Sequence, residues 1–197
     1  MKLPEILTLP ESVERTARLI AWVQSLFDEG SRPVLVGGAA VELLTAGAYT
    51  TGDIDLVGTV PAGVAKALAS AGFVRTGRHW VHEEQQVFLE FPSSALAQGE
   101  QAVRLVVGGC EVLAISPEDL LAERLAAWKH WRSTVDGVNA WLLYRAQRRH
   151  LDHRRLVARC RAHDAADALA SLQAFADKNR TRRPSEQKVE AWARNGP

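Results

Sequence analysis

Only two cysteines occur in the chain, Cys110 and Cys160, far apart in sequence and forming no metal-ligand pair. That excludes a disulfide-built framework and a thiolate metal centre. It predicts two ordinary small buried thiols in a reducing compartment. No apolar run approaches the ~20 residues that a membrane helix needs. The N-terminal segment MKLPEILTLPESVER carries acids early and lacks an apolar core of signal-peptide length. The expectation is a cytoplasmic protein with no membrane association. No internal repeat is visible, which excludes a solenoid or an array.

Net charge is nearly absent as well, at +1, but its distribution is uneven. Residues 1–119 hold 8 Lys/Arg against 15 Asp/Glu, and residues 120–197 hold 16 against 8. An acidic half joined to a basic half suggests metal-binding acids in one part and anion-binding bases in the other, although arginine-rich solvated helices give the same count. At 197 residues with 47% hydrophobic side chains, the chain is long and apolar enough to bury a sizeable core as one ordinary domain or two small ones.

Apolar positions Val13, Ala17, Ile20, Val23 and Phe27 recur at helical spacing and stop at Gly30. A short apolar run, 33–36, leads into Gly37-Gly38 and a short helix over 39–46. A strand follows at 54–57, then a helix over 61–71 with proline in its first turn. Five β-leaning runs come next, 73–76, 80–82, 87–91, 103–107 and 111–115, with Gly108-Gly109 at hairpin spacing. The pattern changes at Ser116-Pro117-Glu118-Asp119, a strong helix start. Helices are expected over 117–132, 135–149, 152–163 and 164–178, then a polar, basic tail. The predicted organisation is an α/β (α+β) domain over 1–115, a mixed sheet flanked by helices, and a helical domain over 116–197.

The chemistry concentrates in VLVGGAA (34–40) and TTGDIDLV (50–57). Asp53 and Asp55, two apart on a strand, point to the same face. Two carboxylates side by side repel unless a cation lies between them, which suits Mg²⁺, a hard ion that prefers oxygen ligands. Paired ions of this kind activate an attacking oxygen and stabilise a leaving phosphate. The Gly37-Gly38 step between strand and helix leaves backbone N–H groups open to phosphate oxygens and permits close ligand approach. Each element alone is a weak signal, because acid pairs cap turns and glycines make tight bends. Together, with Gly38 fifteen residues before Asp53, they are a sharp one.

This arrangement resembles the DNA polymerase β-like nucleotidyltransferase superfamily, with its Gly-Gly or Gly-Ser step, Asp-x-Asp pair and later acid on another strand. Within it, the two segments look most like minimal nucleotidyltransferases of the AbiEii type IV toxin group, over about residues 33–130. The resemblance implies that Asp53, Asp55 and Glu90 are catalytic metal ligands for Mg²⁺ (or Mn²⁺). It further implies that Gly37, Gly38 and Thr51 bind the nucleotide. Glu90 is the best match to the later acid, standing inside the apolar run VFLEF, where an unpaired buried charge costs several kcal/mol. The helix PEDLLAERLAA echoes a family helix with Lys where Arg124 stands here, and Asp136 matches the acid of the following helix. Arg124 then offsets triphosphate charge, and Lys129 is the weaker candidate. Two departures stand out. Tyr49 occupies the place of a frequent arginine, and no serine follows the first glycine.

The implied function is transfer of a nucleoside monophosphate from an NTP substrate to a hydroxyl of an RNA, protein or small-molecule acceptor. The toxin-like resemblance adds a toxin–antitoxin setting with a cognate antitoxin as partner. The competing reading is a catalytically degenerate nucleotide- or protein-binding module on the same fold. For Glu90 the alternative is an ion pair with an arginine of the helical part. The arginines from Arg145 to Arg161 read as an RNA-phosphate surface or as a solvated helix face. They also argue against a metal at His150 and His153. Trp128, Trp131 and Trp141 read as core.

Overall fold

The computed structural model describes residues 2–197, and its contacts gather into two compact units, one up to Ser116 and the other Pro117–Pro197. In the first unit the helices are α1 (Leu3–Leu7), α2 (Val13–Ser25), α3 (Gly37–Leu44) and α4 (Ala62–Ser70). The strands are β1 (Val34–Val36), β2 (Asp53–Val57), β3 (Val74–Thr76), β4 (His79–His82), β5 (Val87–Glu90), β6 (Ala102–Val107) and β7 (Cys110–Ile115). They form one mixed sheet in the order β3-β4-β5-β2-β1-β7-β6. The β2–β5 and β1–β7 pairs are parallel and the others antiparallel.

Register decides what each face of the sheet carries. Leu35 lies opposite Leu56 and Ala114, Ile54 opposite Leu89, and Leu89 opposite Trp80. All six side chains are buried. Directly paired residues share a face and alternate ones do not, so Asp53, Asp55 and Glu90 belong to the other face. There Val36 lies opposite Asp55, and Asp55 opposite Glu90. Helix α2 packs on β7, and α3 on β1 and β2. Buried Gln24 ties α2 to the sheet with every side-chain polar atom used: Nε2 donates to the Pro33 and Leu113 carbonyls (2.8 and 2.7 Å) and Oε1 accepts from the Leu113 N–H (3.0 Å).

The second unit consists of α5 (Pro117–Trp131), α6 (Thr134–Gln147), α7 (His153–Ala162), α8 (Ala166–Lys178) and α9 (Glu186–Asn195). Its centre includes Asp119, fully buried on α5 and paired with Arg155 and with Arg159 (Nε to Oδ1, 2.6 Å) of α7. Those two arginines of the basic run therefore serve the fold. The tail is not wholly irregular, as its polarity suggested: Ser185 caps α9, which buries Val189 and Ala193. Trp192 stacks on Phe175 at 4.7 Å, and the Trp128 indole N–H donates to the Ala193 carbonyl at 2.6 Å. Three apolar anchors, Val189, Trp192 and Ala193, in a polar ten-residue stretch give too weak a periodicity to read, yet they suffice once a groove exists to receive them. Trp128 and Trp141 are buried as expected, whereas Trp131, at the end of α5, is 80% exposed. Cys160 is buried and Cys110 only half so. Among the described residues no helix is long and apolar enough to cross a membrane.

Candidate active site

The site starts where β1 ends. Helix α3 begins at Gly37 itself, two residues before the expected start, and its first turn has no side-chain cap. Gly37 has φ +66°, and a Cβ there would stand 2.1 Å from Asp55 Oδ2 and 2.9 Å from its Cγ. Both the backbone conformation and the space therefore demand glycine. The Asp55 carboxylate lies in the volume that a side chain at position 37 would fill, beside the entry of α3. A Cβ at Gly38 would meet Thr51 Oγ1 at 3.0 Å, so the second glycine admits the Thr51 side chain.

The loop before β2 is held from below by Glu42, an acid buried on α3 that the sequence reading passed over. Its Oε1 accepts from the Thr16 hydroxyl (2.9 Å) and its Oε2 from the Thr51 N–H (3.4 Å). Thr51 Oγ1 in turn accepts from the Asp53 N–H at 3.5 Å. A cavity of about 400 Å³ opens beside this loop, lined by Arg15, Thr16, Glu42, Thr50, Thr51 and Gly52 among others. The visible signal for Glu42 was a single acid inside AAVELL, the same kind of signal that drew attention to Glu90.

Asp53 is exposed and Asp55 half-buried, at the open end of β2. Glu90 is beside Asp55 in register, but Arg78, from the β3–β4 turn, holds its carboxylate through Nε at 2.7 Å. His79 Nδ1 is 3.8 Å from its other oxygen. The arginine partner thus comes from a turn of the sheet-bearing unit, not from the helical part. Among the described residues no three His, Cys, Asp or Glu side chains stand together as a set that could hold a metal ion. The donors that do suit Mg²⁺ are the two aspartates of one strand face. Two carboxylates are enough for an ion that usually takes its remaining ligands from water and substrate phosphate.

In the helical unit, Arg124 Nη1 donates to Asp136 Oδ1 at 2.8 Å, joining α5 to α6 with both side chains mostly buried. The two predicted nucleotide ligands of that unit are therefore each other's partner. Lys129 Nζ donates to the Asp164 carbonyl (2.6 Å) and pairs with Asp167 (3.0 Å). Hydrogen bonding to Asp167 raises the lysine's pKa and lowers that of Asp167.

No protein-family model and no curated protein matches the chain. Among solved structures, it is similar to an antigenic nucleotidyltransferase-like protein from Paracoccidioides brasiliensis, with a TM-score of 0.56, 17% identity and 94% of each chain covered. At that identity the likeness concerns the fold: the chain has a mixed α/β, nucleotidyltransferase-like architecture.

Proposed function

We propose that the chain is a metal-dependent nucleotidyltransferase that moves a nucleoside monophosphate from an NTP to an acceptor hydroxyl. The acceptor hydroxyl gives up its proton to solvent, its oxygen bonds to the α-phosphorus, the α–β bridging bond breaks, and pyrophosphate leaves. The observation that carries this reading is the Asp55 carboxylate seated against left-handed Gly37, with Asp53 on the same open strand face. Carboxylates there and backbone N–H groups at the α3 entry offer a cation site and a phosphate site side by side.

Asp53 and Asp55 would hold Mg²⁺ (or Mn²⁺), which supplies neutralisation of phosphate charge when bound. Gly37 and Gly38 make room at the α3 entry for the Asp55 carboxylate and the Thr51 side chain, beside backbone N–H groups that would take phosphate oxygens. Thr51, fixed through Glu42, sets the position of the loop that delivers Asp53. Glu90 enters the metal set only by exchanging Arg78 for the ion. The AbiEii-like wording of the motif segments favours an RNA or protein hydroxyl over a small-molecule one, and a toxin role opposed by an antitoxin.

A second reading, a nucleotide-binding module without turnover, is favoured by the ion pair that occupies Glu90. Incubation with Mg²⁺ and each α-³²P-labelled NTP, with total RNA and with protein alone, separates the two. Label transferred to RNA or protein and lost in Asp53→Ala supports the enzyme. Mg²⁺-dependent nucleotide binding with no transfer to any acceptor supports the module, and no nucleotide binding at all sinks both.

A further inference from the structure

The helical unit contains a cavity of about 520 Å³ whose charged lining is all of one sign. Arg145, Arg148 and Arg149 reach it from the end of α6, and Arg180 and Arg183 from the α8–α9 link. No Asp or Glu lines it. Three other arginines of the unit are committed to acids, Arg124 to Asp136, and Arg155 and Arg159 to Asp119, whereas Arg132, Arg154, Arg161, Arg182 and Arg194 stand outside this cavity. Among the described residues, none of the five cavity guanidinium groups makes an ion pair or a hydrogen bond. The five cations around the concavity are exposed, no acid lines it, and the acid that shares an electrostatic neighbour with them is Asp177, which acts on Tyr144 together with Arg148.

The basic rim is built rather than loose. Asn179 Nδ2 donates to the Phe175 carbonyl (2.7 Å) and its Oδ1 accepts from Lys188 Nζ (2.7 Å). Pro184 is buried, and α9, which follows it, is locked by the Trp192–Phe175 stack. The link carrying Arg180 and Arg183 is therefore fastened at both ends. Trp141 lines the cavity but is only 5% exposed, so it offers apolar support and no face on which a base could stack. Guanidinium forks match phosphate oxygens bidentately, and several of them together fit several adjoining phosphates better than one monoanion.

We infer that this cavity binds linked phosphate groups, supplied either by a free polyphosphate or by the backbone of an RNA strand, without reading the bases. The inference rests on the helical unit alone and stands independently of metal binding at Asp53 and Asp55. The test uses the full chain in EDTA, with inorganic tripolyphosphate by calorimetry and a fluorescein-labelled twelve-residue oligouridylate by anisotropy. The double variant Arg148→Gln/Arg183→Gln should weaken binding about tenfold or more. It should also flatten the RNA salt dependence by about 1.4 in log K against log[salt], at roughly 0.7 per lost single-strand phosphate contact. Arg154→Gln/Arg161→Gln removes the same charge from exposed positions that do not line the cavity and should change affinity by less than about threefold, since exposed charges that do not touch the ligand are largely screened. Arg148→Lys/Arg183→Lys should retain most of the RNA salt slope, because the charge remains. Binding of tripolyphosphate alone identifies a free polyphosphate as the source, and displacement of RNA by tripolyphosphate identifies shared chemistry. Absence of binding by both probes, or equal weakening in the cavity and control variants, overturns the inference.

Discussion

Replacing Gly37 by alanine tests the geometry of the candidate site without assuming any activity. Two costs add. The backbone at φ +66° is left-handed, which costs an L-residue with a Cβ roughly 1–2 kcal/mol. The new methyl would also stand 2.1 Å from Asp55 Oδ2 and 2.9 Å from Cγ, so the carboxylate must leave its position and break the contacts it makes there. An off-rotamer side chain and displaced packing bring a further cost of about 1–2 kcal/mol. Gly37→Ala should therefore destabilise the sheet unit by about 2–4 kcal/mol. In an Asp55→Ala background the carboxylate is gone, and the backbone cost remains with a tight 3.1 Å approach to the Cβ of residue 55. The double-mutant cycle should then show a coupling of about −1 to −2 kcal/mol, well outside the few tenths expected of independent sites. Urea unfolding gives the sum, and hydrogen exchange of β1 and β2 amides reports this unit separately from the helical one. Additivity within about 0.3–0.5 kcal/mol would refute the claim that Asp55 occupies the space above Gly37.

Two further outcomes follow from buried groups in the helical unit. Asp119→Ala leaves Arg155 and Arg159 facing a buried position without their acid, and should cost about 3–5 kcal/mol, read by chemical denaturation; a loss below about 1 kcal/mol would show that the pairs are weak. Burial pushes the Cys160 thiol up to about 12 from an ordinary 9.0, so a thiol reagent at pH 8 should label Cys110 and spare Cys160 until the chain is unfolded, as mass spectrometry of the labelled peptides will show. The sign of the linked stability effect follows: between those two values the unfolded chain binds fewer protons, so the contribution of Cys160 is fully present below pH 9 and declines as pH rises towards 12.

What the sequence made legible, and what it hid, divides along a physical line. Strand periodicity alone placed Asp53 and Asp55 on one face, because alternation is a property of the backbone and needs no tertiary information. Glycine at 37 was legible for the same reason: only a conformation or a close approach that excludes Cβ calls for it. Glu90 was legible as a charge in an apolar run, and its partner was not, because Arg78 reaches it only through the antiparallel β4–β5 pairing. Trp131 and Trp128 are three residues apart on one helix and differ completely in burial. Helix spacing gives neighbours along a face and cannot say where the partner helix stops. Helix α9 was hidden because its stability comes from Phe175 and Trp128, residues of other helices, and hardly from its own pattern.

The same division bears on function. Asp53, Asp55, Gly37 and Gly38 are specified locally, by the backbone of two short segments, and tertiary packing adds Glu42 beneath them and Arg78 beside them. Both additions are charged groups with their partners already satisfied inside the protein. The cavity arginines are the opposite case, with charge assembled by packing and left without a partner. A fold that neutralises Asp119, Asp136 and Glu90 with nearby arginines, yet leaves five guanidinium groups around one concavity unpaired, has its unmet electrostatic demand in the helical unit. The linked phosphates inferred for that cavity would meet that demand.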